Sequence, residues 1–499
     1  MAEMFIGGEC PSLPGLERVT ITNPANGLPV DTVPKGTPEE ADRAVRAAQD
    51  AFEGWWQTSA GRRGELVHHA ARHVLAHTAE LARLLTDEQG KPLRESRLEI
   101  HRFVLTLEHY AGSAKNLRGG YVPDLDRDTH GLVLKRPLGV VAAIVPWNFP
   151  TTLLANKLAP ALVAGNTLVA KPAETTPLTT LRIAELMHEA GLPAGVFNVV
   201  TGPGSVLGRA LVTHPLVRKV GFTGSTPVGE QIMSLAAQGT KRLTLELGGS
   251  DPMIVCDDAD VEAAASAASV GRFFNCGQAC LAVKRLFVFE EVADQMIDLL
   301  VEKARKLTIG PGTQKGVFLG PLHSEAQRAE VEAQVEDGKA TGGEILTGGR
   351  RPEGEIYEKG WYHEPTLILE PGRESKMARE EVFGPALPIW KVGDLDEAIE
   401  RANDSPFGLG SSIWTHDLDA ATWASERIEA GYTWINSPQR IFDELPFGGW
   451  GGSGYGKEHG MEAFDYYMES KAVVVRRSTK RLRSRRAAVA ADEGGAEAG

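Results

Sequence analysis

The sequence predicts an α/β protein with two doubly wound domains, because short apolar strands alternate with amphipathic helices in two successive series. The first series begins with the strand NTLVAKP and ends with LTLELGG at residue 249. The second extends from Met253 to about Trp434. A chain of 499 residues is long enough for two or three separate cores. We therefore place a domain boundary near residue 249.

The segments outside these series have their own patterns. From about Thr37 to Leu107, apolar residues recur at intervals of three and four, which predicts amphipathic helices. A strand signal follows over residues 131–147, and a second short strand is predicted over 470–477. Beyond it the chain is basic and then rich in alanine and glycine, so we expect a disordered tail over 481–499. Docking of its Arg/Lys cluster onto a neighbouring subunit is the alternative.

Composition excludes several classes of protein. The formal net charge of −13 argues against nucleic acid or an anionic membrane as the main partner, since both select basic surfaces. The longest apolar runs fall short of the roughly 18 residues that span a bilayer. Four cysteines are too few for a disulfide scaffold, and the N-terminus lacks a secretory signal pattern. We expect a cytoplasmic soluble protein.

Two glycine-rich turns are candidates for phosphate binding, although no GxGxxG motif follows an early strand. In GFTGSTPVG a strand leads through Gly224 and Ser225 into a helix beginning near Thr226, where free N–H groups suit a pyrophosphate. The stretch TGPGSVLGRAL, residues 201–211, is a second such turn. An ordinary helix cap explains the first turn equally well.

A lysine and a glutamate follow the apolar strand NTLVA in KPAETTP. At a strand end in a doubly wound sheet, Lys171 could donate to a ribose or phosphate, and Glu174 could accept from a ribose 2′-hydroxyl. A solvated loop pair is the alternative for these two residues.

Two polar residues lie in apolar surroundings. Glu246 is in the strand LTLELGG, where burial would raise the pKa of its carboxyl towards that of a general base. Asn148 in VPWNFP could donate to a developing oxyanion. The alternatives are a solvent-facing strand glutamate and an asparagine that caps the following helix.

Two of the four cysteines, Cys276 and Cys280, are four positions apart in FFNCGQAC. No further Cys or His cluster is near them in the sequence, so we expect no metal. A nucleophilic cysteine needs thiolate character, and Lys284 and Arg285 follow closely. The spacing does not show where these two cations point, and it does not decide between the two cysteines.

Seven stretches together resemble the aldehyde dehydrogenase superfamily. They occur in the order of that family and extend from about Asn23 to Val475: PWNFP, KPAETTP, GFTGSTPVG, LELGGSDP, FFNCGQAC, EEVFGPALPI and LPFGGWGGSGYGKE. The resemblance implies an aldehyde dehydrogenase-like fold, in which a small β oligomerisation element accompanies the two domains. The implied ranges are 1–117 and 138–248 for the NAD-binding domain, 249–440 for the catalytic domain, and 118–137 and 465–480 for the oligomerisation strands.

The resemblance also implies catalytic roles. Cys280 corresponds to the nucleophile, Glu246 to the general base and Asn148 to the oxyanion donor, with the backbone N–H of Cys280 as its partner. Lys157 and Glu469 match a pair thought to relay protons away from the base. The implied reaction oxidises an aldehyde to the carboxylic acid through a thiohemiacetal and a thioester. A catalytically silent, NAD-binding or structural paralogue is the alternative.

The resemblance implies a nicotinamide dinucleotide as cofactor. The corresponding residues are Trp147, Lys171, Glu174, Gly224, Ser225, Glu381 and Phe383. Trp147 corresponds to a wall of the site, and Lys171 and Glu174 correspond to residues that hold the adenosine ribose. Gly224 and Ser225 match the turn that holds the pyrophosphate, and Glu381 and Phe383 match residues that hold the nicotinamide ribose. Because Glu174 would repel a 2′-phosphate, we expect NAD, with NADP also possible.

A substrate pocket for a small aldehyde is implied as well. Its residues are Phe149, Leu153, Asn156, Phe274, Ala279, Leu281, Arg440, Ile441 and Phe447. Succinate-semialdehyde relatives commonly have an arginine where this chain has Asn156, whereas Arg440 could pair with an anionic aldehyde or lie at the solvent rim. Gly451 replaces a lysine of the family pattern, which predicts a mobile glycine-rich loop. The resemblance further implies a homodimer or homotetramer.

Overall fold

A computed structural model describes residues 1–477 of the protein. The predicted tail over 481–499 and the end of the predicted 465–480 strand segment lie outside the described residues. The α-helices are α1 (Pro38–Gln57), α2 (Ala60–Ala76), α3 (Thr78–Gln89), α4 (Leu93–Ser113), α5 (Pro150–Ala164), α6 (Leu178–Glu189), α7 (Arg209–Thr213), α8 (Thr226–Ala237), α9 (Val261–Phe273), α10 (Glu290–Arg305), α11 (Glu325–Ala340), α12 (Lys376–Arg379), α13 (Leu395–Asn403) and α14 (Leu418–Arg427).

The strands belong to several sheets. They are β1 (Arg18–Thr22), β2 (Pro29–Pro34), β3 (Gly120–Asp126), β4 (Thr129–Pro137), β5 (Val140–Ile144), β6 (Thr167–Lys171), β7 (Phe197–Val199), β8 (Val217–Thr223), β9 (Arg242–Glu246), β10 (Pro252–Val255), β11 (Arg285–Phe289), β12 (Glu344–Thr347), β13 (Thr366–Leu369), β14 (Ala386–Val392), β15 (Phe407–Gly408), β16 (Gly410–Trp414), β17 (Tyr432–Ile435), β18 (Trp450–Gly451), β19 (Gly454–Tyr455) and β20 (Met468–Arg476).

The predicted N-terminal helical region forms α1 to α4. A capping box begins α1: the Thr37 side chain accepts a backbone N–H of the first turn, and the Glu40 carboxylate accepts the Thr37 N–H at 2.9 Å. The buried face of this helix carries Ala41, Ala44 and Ala48, at the three- and four-residue spacing of one helix side. Small residues on this face let α1 pack closely against the first sheet.

The first large sheet has the order β19-β9-β8-β5-β6-β7. Strands β5, β6, β8 and β9 pair in parallel, so their carboxyl ends meet at one edge. Every residue of β5 and β6 is buried, as expected for strands covered by helices on both faces. This edge presents Lys171, Thr223 and Glu246 at the ends of their strands.

The second large sheet has the order β12-β13-β14-β11-β10-β16-β17. Parallel pairing joins β10 to β11 and β11 to β14, and the segments before these strands carry Gly248, Cys280 and Glu381. The two predicted parallel-sheet domains are therefore present, and the chain enters the second one just after β9.

A three-stranded antiparallel sheet has the order β20-β4-β3. Its longest pairing joins β20 and β4 from Met468 opposite Pro137 to Arg476 opposite Thr129. The predicted strand signal over 131–147 is two strands, since the chain turns after β4 through Gly139 with a φ of 127° and then enters β5. Among residues 1–477, we find no helix that is long and apolar enough to cross a membrane.

Candidate active site

A cavity of about 390 Å³ is lined by segments that adjoin strands of both large sheets. Its walls are Pro146, Trp147, Asn148, Thr223, Gly224, Ser225, Leu247, Gly248, Cys280, Gln327, Glu330, Glu380, Glu381 and Phe383. The first sheet contributes the residues after β5, β8 and β9, and the second contributes those before β11 and β14. Predicted catalytic and cofactor residues that are far apart in the sequence therefore share one cavity.

Cys280 is the cysteine that lines this cavity, and it is half-buried there. Burial raises the pKa of its thiol to about 12, and the positive charge of Lys284 is the largest opposing influence. The nearby carboxylates of Glu381, Asp251 and Glu246 raise this pKa further. Activation of the resting thiol therefore requires a base or a stronger positive field.

Cys276, by contrast, is fully buried in the core of the second domain. It lies in a tight turn in which Asn275 and Cys276 both have positive φ, 49° and 56°. Burial raises the pKa of its thiol, with Glu95 adding to the effect. The turn thus separates the two cysteines: one is packed in the core, and the other faces the cavity.

Hydrogen bonds hold both the backbone and the side chain of Asn148 in place. Its backbone carbonyl accepts from Lys91 Nζ at 2.5 Å and from Asn275 Nδ2 at 3.0 Å. Its side-chain Nδ2 donates to the carbonyl of Gln278 at 3.1 Å, directly beside the nucleophile segment. An amide fixed in this way is a suitable donor to an oxyanion that develops near Cys280.

Glu246 ends β9 and is buried, which contradicts the solvent-facing alternative. Neither carboxylate oxygen has a hydrogen-bond partner among residues 1–477. Burial raises the pKa of this carboxyl well above its ordinary value, and Glu458 raises it further, while Lys157 and Lys457 oppose the shift. A carboxyl in this state can accept a proton near neutral pH.

The predicted pairing of Lys157 with Glu469 is wrong. Lys157 Nζ lies 2.7 Å from Glu458 Oε1, and both side chains are buried. Glu469 is on the exposed β20 and pairs with Arg242, Nη2 to Oε2 at 2.9 Å. Glu458 is thus the carboxylate that pairs with Lys157 near Glu246, and the sequence offered a signal for it, because it ends the last stretch that resembles the family.

The predicted ribose and phosphate residues lie near the carboxyl edge of the first sheet. Glu174 Oε1 accepts from the backbone N–H of Gly204 at 3.2 Å, so KPAETTP meets the second glycine-rich turn. Lys171 is buried, which lowers the pKa of its ammonium to about 8, and Nζ donates to Pro172 O at 2.7 Å. A Cβ atom at Gly224 would lie 2.4 Å from the tip of the Phe222 ring, so a larger residue there would force this ring to shift.

These residues fit a dinucleotide. Ser225 precedes the first turn of α8 and makes no side-chain cap, so the helix start can receive a pyrophosphate. Trp147 stacks on His323 with ring centroids 4.3 Å apart and meets Phe383 edge-on at 5.6 Å. Glu381 and Phe383 line the same cavity as Gly224 and Ser225. Among the described residues, no cluster of metal-ligating side chains is found.

The predicted substrate residues are only partly brought together. Phe149 and Phe274 stack in parallel with ring centroids 6.0 Å apart. Phe447 is buried and exchanges backbone hydrogen bonds with Glu458 at 2.7 Å. The guanidinium of Arg440 is exposed, 5.1 Å from the exposed Phe442 ring, which agrees with the solvent-rim alternative.

The other pocket candidates differ mainly in exposure. Leu153, Leu281 and Ile441 are partly buried, whereas Asn156 and Ala279 are buried. The Asn156 Oδ1 atom has no hydrogen-bond partner among the described residues. A neutral amide thus lies where the sequence suggested that a semialdehyde-binding arginine was missing.

Two features fix the loops around the pocket. Asp443 accepts from Arg102 Nη2 at 2.6 Å and lies 2.9 Å from His459 Nδ1, which anchors the loop before Phe447. Gly451 has a φ of 54° and pairs with Phe407 across β15 and β18. The glycine-rich loop therefore has defined backbone pairing, and the left-handed φ explains why glycine is suited to this position.

Comparison with known proteins gives a consistent relationship. The chain matches the Aldehyde dehydrogenase family over residues 14–473. It is 38% identical over 473 residues to the succinate-semialdehyde dehydrogenase (NADP(+)) of Escherichia coli, covering 95% of this chain and 97% of that protein. It is 40% identical over 485 residues to phenylacetaldehyde dehydrogenase of Pseudomonas fluorescens, covering 95% of each.

A solved structure agrees in fold. Betaine aldehyde dehydrogenase from Staphylococcus aureus in complex with NAD+ superposes with a TM-score of 0.92 at 36% identity, covering 95% of this chain and 94% of that chain. These relationships support an active enzyme and not the silent paralogue. The protein belongs to the aldehyde dehydrogenase family and is an NAD(P)-dependent oxidoreductase that oxidises aldehydes to carboxylic acids.

Proposed function

We propose that the oxidation proceeds through a covalent thioester on Cys280. The observation that carries this proposal is the shared cavity, in which Cys280, Asn148 and Glu381 line the walls. Attack of the Cys280 thiolate on the aldehyde carbon forms the C–S bond and converts the carbonyl oxygen into an oxyanion. The Asn148 amide and the Cys280 backbone N–H donate to that oxygen. Covalent capture is needed because a free aldehyde is a poor hydride donor.

The chemistry that NAD(P)+ supplies when bound is acceptance of a hydride. Trp147, Gly224, Ser225, Glu381 and Phe383 would hold it along the cavity walls. In this proposal the nicotinamide end would lie beside Cys280, and the phosphate end would lie beside the start of α8.

Glu246 then acts on the thioester that remains on Cys280. Its carboxylate takes a proton from water, the resulting hydroxide attacks the thioester carbon, and the C–S bond breaks to release the acid. Its charge is near enough to Cys280 to influence the thiol. The buried Lys157–Glu458 pair is the next acceptor for the proton.

Replacement of the nucleophile tests this mechanism. We expect Cys280→Ala to lower the aldehyde oxidation rate by about 10³-fold or more, because no covalent adduct can form. The Kd for NAD+ should stay within a factor of about two, since the ribose and phosphate contacts remain. Retention of substantial turnover by the folded variant would exclude Cys280 as the nucleophile.

We propose NAD as the preferred cofactor. The Glu174 carboxylate accepts the Gly204 N–H, at the point where the 2′-position of the adenosine ribose is expected. A 2′-phosphate there would meet a negative charge. The ratio of kcat/KM for NAD+ over that for NADP+ should exceed one, and Glu174→Gln should lower this ratio. A ratio below one in the wild-type protein would contradict the preference.

We propose an uncharged aldehyde, aliphatic or aromatic, as the substrate. The stacked Phe149 and Phe274 rings and the neutral Asn156 offer no fixed cation to a carboxylate, and Arg440 is exposed at the rim. The kcat/KM for phenylacetaldehyde should therefore exceed that for succinate semialdehyde. If Arg440→Ala reduced kcat/KM for the carboxylated aldehyde alone, Arg440 would instead be an anionic anchor.

We propose that the protein forms a homodimer or homotetramer through the β20-β4-β3 sheet. Val474 on β20 and Tyr121 on β3 are exposed apolar residues on this sheet. Light scattering should give a mass above one chain, and Val474→Arg should lower it. A cytoplasmic location stays a prediction from the cysteine content.

A further inference from the structure

Lys284 is a fully buried lysine directly behind the nucleophile, and none of the roles above uses it. Its Nζ donates to Gly249 O at 2.9 Å, to Cys280 O at 3.1 Å and to Glu381 Oε1. The three donors of the ammonium thus have three acceptors. One side chain therefore joins the turn after the general base, the nucleophile residue and the carboxylate on the cofactor wall.

The neighbouring cation has a different environment. Arg285 donates to Ser250 O at 2.9 Å and to Ala402 O at 2.7 Å, so its guanidinium joins the segment before β10 to the end of α13. Lys284 is not part of the cavity wall, whereas Cys280 and Glu381 are. The charge of Lys284 therefore lies outside the cavity and acts on it through Cys280 and Glu381, which Lys284 contacts.

This position gives Lys284 two effects on the chemistry. The groups with the largest charge effects on the Cys280 thiol are Lys284, Glu381, Asp251 and Glu246, and Lys284 is the cation among them. A positive charge beside a thiol favours the thiolate. The same ammonium binds one oxygen of Glu381 and leaves the other free to accept from a ribose hydroxyl.

We propose that Lys284 is a positioning residue that links cofactor binding to activation of the nucleophile, by fixing the Glu381 carboxylate and by placing a positive charge behind Cys280. A ribose hydroxyl donating to Glu381 competes for the negative charge that otherwise offsets Lys284. Cofactor binding therefore strengthens the positive field at the thiol. The inference rests on the proposed roles of Cys280 and Glu381.

Alkylation of Cys280 by iodoacetamide, without cofactor, measures the thiolate fraction apart from turnover. Peptide mass spectrometry separates this thiol from Cys10, which is exposed. We expect Lys284→Met to slow alkylation between pH 7 and 9 about tenfold or more, since loss of a nearby cation raises a thiol pKa by about one unit or more. Lys284→Arg should restore most of the rate. We also expect Lys284→Met to raise the Kd for NAD+ by about tenfold.

The partner residue gives a prediction of opposite sign. Glu381→Gln removes the negative charge that opposes the thiolate, so alkylation should become faster. A merely structural role for the pair would change both variants in the same direction. Lys391→Met, which removes a lysine from an exposed pair with Asp294, is the matched control and should leave both measurements unchanged.

The outcomes decide the inference in each case. An unchanged alkylation rate in folded Lys284→Met, or slower alkylation in both Lys284→Met and Glu381→Gln, would overturn it. If Lys284→Met does not fold, Glu381→Gln alone decides, and a slower or unchanged rate there overturns the proposal. Failure of the nucleophile assignment would show separately, as residual turnover in Cys280→Ala.

Discussion

Two of the lysine–glutamate pairs beside the reaction site, Lys157–Glu458 and Lys284–Glu381, differ in how far they are exposed to the cavity. Lys157–Glu458 lies behind the base Glu246, and both members are at most 1% exposed. Lys284–Glu381 lies behind Cys280; its lysine is 0% exposed, but its glutamate is 21% exposed on the cavity wall.

The difference in exposure suggests a different role for each pair. The pair of the first domain is sealed from the cavity, so it can tune the proton affinity of Glu246 without meeting substrate or cofactor. The glutamate of the second pair lies on the cavity wall, so a ribose hydroxyl bound there would change the charge balance of that pair. We therefore expect the proton affinity of Glu246 to be independent of bound ligands, and the reactivity of Cys280 to depend on cofactor binding.

The largest effect should come from replacing Glu246, the proposed base, whose pKa the Lys157–Glu458 pair influences. We expect Glu246→Gln to slow thioester hydrolysis by about 10²–10⁴-fold, because general-base catalysis is lost. Rapid mixing should still give a burst of about one NADH per active site, since acylation precedes this step. Hydrolysis by the wild-type protein should rise with pH through the raised pKa of Glu246, because only the carboxylate accepts a proton. The variant should lack this rise.

Loss of the burst in folded Glu246→Gln would place Glu246 before the thioester, as the group that deprotonates Cys280. The resting thiol pKa of about 12 makes this a genuine alternative. Glu246→Asp serves as the control, because it keeps the acid and shortens its reach.

A smaller effect should distinguish Glu458, which pairs with Lys157, from Glu469, which the sequence predicted as its partner. Because the charge of Glu458 raises the pKa of Glu246, we expect Glu458→Gln to move the rising limb of the kcat–pH profile to lower pH. Removal of Glu458 should also reduce kcat by about tenfold, through loss of the proton acceptor beside the base. Glu469→Gln breaks only an exposed pair with Arg242 and should change neither quantity. A shifted limb in Glu469→Gln alone would favour the pairing predicted from the sequence.

The wrong pairing shows what sequence patterns could not decide here. Lys157 and Glu458 are 301 positions apart, and Glu458 ends the last glycine-rich motif, whereas Glu469 follows it by eleven positions. Strand β20 carries Glu469 onto an exposed sheet, whereas the turn before it brings Glu458 against α5. Both placements depend on tertiary pairing of β20 with β4 and of β19 with β9.

The fold and the residues of the cavity could be predicted from the sequence better than the partner of Lys157. Strand and helix periods predicted the two α/β series. The cofactor motifs of the first domain follow strands, at the carboxyl edge where parallel sheets bind ligands, whereas Glu381 and Phe383 precede β14. The direction of a side chain could not be predicted from the sequence. Lys284 and Arg285 are adjacent and both buried, yet of these two only Lys284 contacts Cys280.

The smallest effect concerns another buried lysine, Lys219, which sharpens the comparison because no carboxylate among residues 1–477 is bonded to it. Lys219 Nζ donates to Thr244 Oγ1 at 3.0 Å and lies 4.4 Å from the centroid of the Tyr467 ring. Burial lowers the pKa of its ammonium to about 7, although Glu458 opposes the shift. Between this pKa and the ordinary value of 10.5, the unfolded chain therefore binds more protons at this residue than the folded protein does.

Stability should consequently rise with pH in that window, and the contribution of Lys219 is at most about 1.4 kcal/mol per pH unit. Lys219→Met should remove this part of the slope of the unfolding free energy between pH 7.5 and 9.5, as measured by urea denaturation. The exposed Lys391→Met should leave the slope unchanged. An unaltered slope in Lys219→Met would mean that Lys219 stays charged in the fold. The charge of Glu458 would then serve two lysines, and the pair behind Glu246 would be less isolated than its burial indicates.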